Sequence, residues 1–340
     1  MANDKVNSLE VAKRAGVSQS AVSRVFTPGA SASTKTVEKV RKAAAELGYR
    51  PNAMARSLIT GKSRIIGLVV AYLENQFYPE ALEKLSNALQ EQGYHVLIFM
   101  TTQTAVNIDT VVQEIIDYQV DGIVLASVAM SSDLAEQCQM AGVPVVLFNR
   151  SQDDDRLSSV TSDNISGGRK IAEFLVAGGH KKIGHITGWE GASTQRDREI
   201  GLLEGLKSAG LSLFAREVGN FQMAAAQEAT RRMFDVPEYP DAVFVANDHM
   251  AIAVMDVLRS ELKLEIPGEV SVVAYDDVPA AAWLAYDLTT VRQRANQMVA
   301  ETVSILMDQI ETGVHQPKRL AIDGPLIIRS SARVPEGWKK

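Results

Sequence analysis

From Ile65 onward, short unbroken apolar runs alternate with stretches whose apolar residues return every three or four positions. Runs at 65–71, 95–100, 122–125, 145–148, 182–187, 242–245 and 270–274 are mostly apolar at odd and even positions alike, the pattern of strands buried on both faces. Between them, 79–92, 165–177, 194–209, 224–234 and 248–260 carry helical periodicity, and Gly93, Gly142, Gly178 and Gly210 close several helical stretches. Repeated strand–helix alternation predicts parallel sheets with helices on both faces. Some 276 residues exceed one compact sheet of that kind, so two similar subdomains are expected.

The first 64 residues follow a different pattern. Residues 8–15 open with a serine suited to capping and an acidic first turn, carry Leu9, Val11, Ala12 and Ala15 at helical spacing, and meet Gly16. Ser18 then caps a second short helix, with Val22, Val25 and Phe26 on one face and Gln19, Ser20, Ser23 and Arg24 on the other. After Thr27-Pro28-Gly29, a third helix begins near Thr34 behind Ser33, and its stripe of Val37, Val40, Ala44 and Leu47 ends at Gly48. Three short helices around a small core predict a helix-turn-helix unit, whose second helix enters the major groove of DNA. Any amphipathic helix has a polar side, so charge carries weight here. Up to Arg64 there are 12 Lys or Arg and 4 Asp or Glu, giving +8, while the rest of the chain carries −14. A basic end suits a polyanion through counterion release, although a solvated basic tail would have the same charge. The outward donors and acceptors at Gln19, Ser20, Ser23 and Arg24 favour DNA.

Between the two patterns, Pro51-Asn52 can start a helix, but Ala53 to Leu58 is far shorter than the ~12–15 residues an isolated helix needs in water. The segment is either a flexible linker or a helix ordered only when held, for instance by a second copy on DNA with Leu58 wedged between base steps.

Ordinary apolar and charged content excludes a disordered chain. A single cysteine, Cys138, can form neither an internal disulfide nor a thiolate metal site. Residues 1–10 lack the apolar core of a signal peptide, and the longest early apolar run is half a membrane span, so a cytoplasmic, nucleoid-associated protein without a membrane partner is expected. No catalytic set is visible. No two glycines stand two apart, which excludes the dinucleotide fingerprint. Gly61-Lys62-Ser63 has Arg56 where a phosphate loop needs glycine, and no Gly-x-Ser-x-Gly elbow occurs. The five histidines never take helical zinc spacing, and His180 and His185 read as structural or surface residues. No enzyme, cofactor or metal is therefore expected.

In parallel α/β folds ligands sit beyond the carboxyl ends of strands. Those places hold Phe77 and Tyr78, Asn149 and Arg150, Trp189, Thr194, Arg196 and Arg198, Asn247 and Asp248, and Asp276. Amides, carboxylates and flat rings together suit a polyhydroxylated ligand. Taken singly, Asp248 also reads as a helix N-cap, and Trp189 or Phe221 as partial core.

The segments 9–18, 21–25 and 46–58 closely resemble the signature of the lactose-repressor (LacI) family of bacterial transcription regulators. The likeness continues through 161–164 with Gly167-Gly168, Ser193-Thr194 with Arg198, 246–248, 274–277 and 288–293. The resemblance implies an α/β chain in three parts: a three-helix helix-turn-helix domain at 1–50, a hinge helix and linker at 51–64, and a periplasmic-binding-protein-like core at 65–340. That core would be two doubly wound parallel-sheet subdomains, an N-subdomain of 65–161 and 293–322 and a C-subdomain of 162–291 and 323–340, crossing near Thr161, Arg292 and Ile322. It implies base reading by Gln19, Ser20 and Arg24, with Ser23 beside them, and minor-groove contact by Ala55 and Leu58. It places effector contacts at Phe77, Tyr78, Asn149, Arg150, Arg198, Phe221, Asn247 and Asp276.

A homodimer on operator DNA, repressing carbohydrate-related genes under a sugar, polyol or sugar-acid effector, is the function so implied. Arg150 and Arg198 would leave room for an anionic group. Departures from the family pattern are the loop at 27–31, where an Asn-rich turn is frequent, and Asn149, where aspartate is common. Arg150 and Ala192 stand where the purine repressor has Trp and Arg, which disfavours a purine, and no leucine heptad follows 329–331, so a tetramer is not expected. A sugar-binding protein would leave the basic module unexplained. A helix-turn-helix domain fused to a sugar-processing enzyme would need a catalytic set.

Overall fold

In a computed structural model of the chain, which describes residues 6–27, 30–50, 61–101, 105–128 and 130–339, the unit Met1–Ser63 is built from α1 (Ser8–Ala15), α2 (Gln19–Phe26) and α3 (Thr34–Leu47). The cap of α1 is Asn7, not Ser8. The Asn7 side chain accepts from the amides of Leu9 and Glu10, and the Asn7 amide donates to the Glu10 carboxylate at 2.9 Å. Ser18 and Ser33 cap the other two helices, and Gly16 and Gly48 end α1 and α3 at φ 66° and 64°, a left-handed turn that glycine adopts without strain. Val11, Ala12, Val22, Val40, Ala43 and Ala44 form the core, flanked by Phe26 and Tyr49 with ring centroids 5.9 Å apart.

The unit Arg64–Lys340 holds two sheets. The first contains β1 (Ile65–Val70), β2 (His95–Met100), β3 (Gly122–Ala126), β4 (Val145–Phe148), β5 (Ser158–Ser162) and β11 (Arg319–Ile322), in the order β11-β5-β4-β3-β1-β2 and parallel throughout. Helices α4 (Phe77–Glu91), α5 (Ala105–Asp117) and α6 (Ser132–Met140) connect its strands. The second contains β6 (Ile183–Thr187), β7 (Ala215–Val218), β8 (Ala242–Val245), β9 (Ser271–Asp276), β10 (Thr289–Arg292) and β12 (Leu326–Ile327), in the order β12-β10-β9-β8-β6-β7, with only β12 antiparallel. Its helices are α7 (Asn164–Ala177), α8 (Ser193–Ser208), α9 (Met223–Phe234) and α10 (Asp248–Asp256). The chain passes between the sheets three times, after β5, after β10 and after β11. The second passage is α11 (Ala295–Thr312), which packs on α4, β4 and β5 and so covers the first sheet.

Central strands such as β1, β3 and β8 are buried almost end to end, which is why they stand out as apolar runs. β5 does not, because it reads Ser-Ser-Val-Thr-Ser. It is buried nonetheless, since Ser158 Oγ accepts from Gln309 Nε2 and the Lys318 amide, and Ser162 Oγ meets the Tyr275 hydroxyl at 2.8 Å. A hydroxyl with a partner can be buried at little penalty.

Helices α7 and α8 approach so closely that a Cβ on Gly168 would lie 2.1 Å from the Arg198 carbonyl oxygen. One on Gly201 would lie 2.0 Å from that of Ile165. Gly201→Ala decides between two effects: alanine is worth ~1 kcal/mol more than glycine in a helix, while forcing a methyl against backbone costs ~1–3 kcal/mol or more. The clash should win and lower the melting temperature of this unit by several degrees in a calorimetric scan. An equal or higher melting temperature would mean that the helices do not pack at this distance.

Candidate ligand cleft and nucleic-acid interface

On α2, Gln19, Ser20, Ser23 and Arg24 are exposed while Val22 is buried, so the helix presents its hydrogen-bonding face outward. Gln19 Nε2 donates to Ser8 Oγ at 2.9 Å, and the Ser18 and Ser20 hydroxyls meet at 3.0 Å. The first bond ties the start of α2 to α1, and the second lies within the first turn of α2. Residues 51–60, with Ala55 and Leu58 and the expected hinge helix, lie outside the described residues.

In the larger unit the strand ends of the two sheets face one another, and Asp276 is the point where they meet. It closes β9 at φ 124°, and its carboxylate accepts from Asn75 Nδ2 at 3.0 Å, Gln293 Nε2 at 2.7 Å and Arg198 Nη2 at 3.3 Å. Asn75 belongs to the first sheet's β1–α4 connection, so this cluster bridges the layers. Two further bonds do the same: the Ser151 amide to Ser193 Oγ at 3.0 Å, and the Ala280 amide to Gln76 Oε1 at 3.1 Å. Burial pushes the Asp276 carboxyl above its usual range against the pull of Arg198. The Arg198 guanidinium lies 3.7 Å from the Tyr275 ring and also donates to Asn164 Oδ1 at 2.9 Å and to the Ala246 carbonyl at 2.5 Å.

Across from Asp276, Phe77 stacks on Phe148 with centroids 6.3 Å apart, and Tyr78 hydrogen-bonds Ser127 Oγ and accepts from Asn149 Nδ2 at 2.9 Å. Tyr72 packs edge-on against Tyr78 at 5.1 Å, and its phenol, raised mainly by burial, feels the charges of both Arg150 and Asp276. Arg150 lies over the faces of Trp189 and Phe221 at 5.5 and 6.0 Å. Phe221 has room because residue 188 is glycine, where a Cβ would lie 2.1 Å from its ring. Ser127, Asn149, Phe221, Asp276 and Asp277 all have positive φ, so non-glycine residues in the left-handed region cluster at strand ends around the cleft. Three buried polar atoms here have no hydrogen-bond partner among the described residues: Asn149 Oδ1, Arg150 Nε and Gln293 Oε1. A cavity of about 380 Å³ lies on the α4 side of Phe77, Asp276 and Gln293, bordered by Glu80, Lys84, Arg292 and Asn296 and not by Tyr78, Asn149, Arg150 or Phe221.

The structure thus gathers Phe77, Tyr78, Asn149, Arg150, Arg198, Phe221 and Asp276 around one cleft, with corrections to the sequence reading. Arg198, expected beside Arg150 at an anion site, is paired with Asp276 and donates also to Asn164 Oδ1 and the Ala246 carbonyl, whereas Arg150 forms no ion pair among the described residues. The cap of α10 is Asn247, whose side chain accepts from the Met250 amide at 3.0 Å. Asp248, read as a cap, is a buried first-turn residue that accepts from Thr290 Oγ1 and the Val278 amide. Burial, reinforced by the nearby Asp276 charge, pushes the Asp248 carboxyl up. Sequence reasoning missed Asn75, Ser127, Asn164 and Gln293. Gln293 follows β10, which reads Thr-Thr-Val-Arg and so does not register as an apolar run, and Asn75 stands five residues past β1.

Residues 9–52 match the family described as bacterial regulatory proteins, lacI family, and residues 172–332 match the periplasmic binding protein-like domain. The chain is 32% identical over 330 residues to the HTH-type transcriptional regulator CelR of Thermobifida fusca, covering 94% of this chain and 96% of that one. It is 29% identical over 326 residues to the ribose operon repressor of Escherichia coli, covering 95% and 98%. Its fold is similar to the crystal structure of the lac repressor dimer bound to operator and the anti-inducer ONPF, with a TM-score of 0.87 at 26% identity over 96% of this chain and 99% of that one.

Below the cleft, His185 lies fully buried inside β6, stacked on Phe244 with centroids 4.7 Å apart. Its Nδ1 is 2.9 Å from the Phe244 carbonyl, so that nitrogen carries the proton, and Nε2 accepts from Gln195 Nε2 at 3.1 Å. Gln195 Oε1 in turn accepts the Gly188 amide at 2.6 Å, next to Trp189. Burial holds the imidazole neutral, with a pKa lowered to about 4. An unfolded histidine titrates near ~6.5, so between pH 6.5 and 4 the unfolded chain binds the extra proton and stability falls as pH drops. Urea titrations from pH 8 to 4 should show this acid limb, and His185→Phe, which keeps the stack, should make it shallower. His180 and His249, also lowered by burial, sustain the remainder. An unchanged slope in the variant would mean that His185 is protonated in the folded protein.

Proposed function

Because the chain belongs to the lacI family of bacterial regulatory proteins, we propose that it is a repressor acting as a homodimer on operator DNA, switched by a sugar, polyol or sugar acid held in the cleft between its two sheets. The observation that carries the effector assignment is the set of partnerless buried atoms at Asn149, Arg150 and Gln293, set among aromatic faces. Two are acceptors and one a donor, and a hydroxyl-bearing ligand can satisfy both kinds. Phe77, Tyr78, Asn247 and Asp276 complete the proposed contacts, and Phe221 and Trp189 supply faces for ring C–H groups. The ribose operon repressor and the lac repressor dimer bound to operator are regulators of this type by name, and no relative named here supports a sugar-processing enzyme.

In the smaller unit, the exposed row Gln19, Ser20, Ser23 and Arg24 is assigned to base edges and phosphates. Paired recognition helices of a two-fold dimer call for a near-palindromic site. Ala55 and Leu58 are assigned to the minor groove. The effector acts as a switch only if it binds two arrangements of the core unequally, with a coupling of ~1–3 kcal/mol. The site of action is the cytoplasm.

Arg24→Ala should lose ~1–3 kcal/mol of discrimination at one base pair, as a bidentate contact does. Binding assays on an operator series read this directly, and uniform weakening on every sequence would reassign Arg24 to phosphate. A thermal-shift screen over sugars, polyols and sugar acids should find a ligand that, at ~100 times its dissociation constant, adds about 2.7 kcal/mol of stability. Asp276→Ala should lose that shift. Stabilisation by nucleobases alone would sink the cleft assignment.

A further inference from the structure

The two arginines of the cleft stand in opposite electrostatic positions. Arg198 is answered within the protein by Asp276. Arg150 is 5% exposed, its Nε has no partner, and no carboxylate of the described residues forms an ion pair with it. Faces of Trp189 and Phe221 offset the desolvation of a guanidinium only in part. The neighbouring side chain that could have supplied a counter-charge is Asn149, a buried neutral amide whose Nδ2 is committed to the Tyr78 hydroxyl. With the Arg198–Asp276 pair cancelling, these four side chains carry one net positive charge.

We infer that the molecule held here is itself an anion, a polyhydroxylated monocarboxylate whose acid group pairs with Arg150. This rests on the cleft being the effector site, as proposed above, and narrows the ligand within that reading. A guanidinium fork matches a carboxylate bidentately. A phosphate monoester brings about −1.5 to −2 charges, more than one uncompensated arginine answers, so the charge count selects the carboxylate. A carboxylate cannot serve the two remaining orphans, because Asn149 Oδ1 and Gln293 Oε1 are acceptors and need donors. Hydroxyls on the same ligand supply them. The ligand class is therefore an aldonic or uronic acid rather than a neutral sugar.

Titration calorimetry on the full chain should use matched sets: glucose, sorbitol, gluconate, glucuronate and glucose 6-phosphate, with the galactose and five-carbon counterparts. At least one acid should bind 100-fold or more tighter than its neutral parent. Asn149→Asp, which places a carboxylate beside Arg150, should weaken that acid at least tenfold. Arg150→Lys, keeping the charge without the fork, should weaken it less than Arg150→Met, with circular dichroism confirming that each variant is folded. A neutral sugar or polyol binding as tightly as its acid would overturn the anionic ligand while leaving the effector cleft standing. Glucose 6-phosphate or a counterpart binding tighter than the acids would overturn the carboxylate. Failure of every member of every class to bind would remove the effector reading itself.

Discussion

The larger unit turns on one buried ion pair, Arg198 with Asp276. Its members come from α8 and the end of β9, and their remaining bonds reach Asn164 on α7, the Ala246 carbonyl after β8, Gln293 after β10 and Asn75 after β1. A buried pair of this kind contributes little net stability, since desolvation offsets most of the attraction. Removing one partner, however, strands the other and costs ~3–5 kcal/mol. Its value is geometric. Six segments, one of them from the opposite sheet, are held in a single arrangement around the cleft.

Other features follow from the need to bring those groups together. Arg198 reaches Asn164 because α7 and α8 touch backbone to backbone at Gly168 and Gly201. Asp276 points across the cleft because its residue accepts a positive φ, as do Ser127, Asn149 and Phe221 at other strand ends. Such conformations persist only where surrounding packing enforces them, and the apolar strands beneath supply it. The His185–Gln195–Gly188 chain extends the same logic downward, tying the loop that carries Trp189 to the middle of β6.

The sheets are bridged by polar bonds at strand ends and connections, and their apolar side chains run together in one cluster that includes Phe77, Phe148, Phe221 and Val278. A ligand entering between them acts on both kinds of contact, and it shifts an equilibrium between two arrangements only through its unequal affinity for them. The charge of the chain is divided, with a net positive segment up to Arg64 that suits a polyanion and a net negative remainder in which Arg150 is a local exception.

Much of this was legible in the residues alone. Unbroken apolar runs and 3.6-residue periodicity arise from local geometry, so the α/β architecture, the helix-turn-helix and the strand ends that carry site residues could all be read from spacing. β5 escaped because its burial depends on hydroxyl partners that arrive from α11 and from the chain just before β11. Asn247 rather than Asp248 caps α10 because the Asp248 carboxylate is drawn to Thr290, 42 residues away. Above all, the sequence could show two arginines downstream of apolar strands but not that one is neutralised and the other, among the described residues, has no ion pair. That difference depends on a carboxylate 78 residues from Arg198 and an amide 201 residues from that carboxylate. Residue type determines what a side chain can do, and spacing determines its local element. Which charges cancel is settled by distances that exist only once the sheets have assembled.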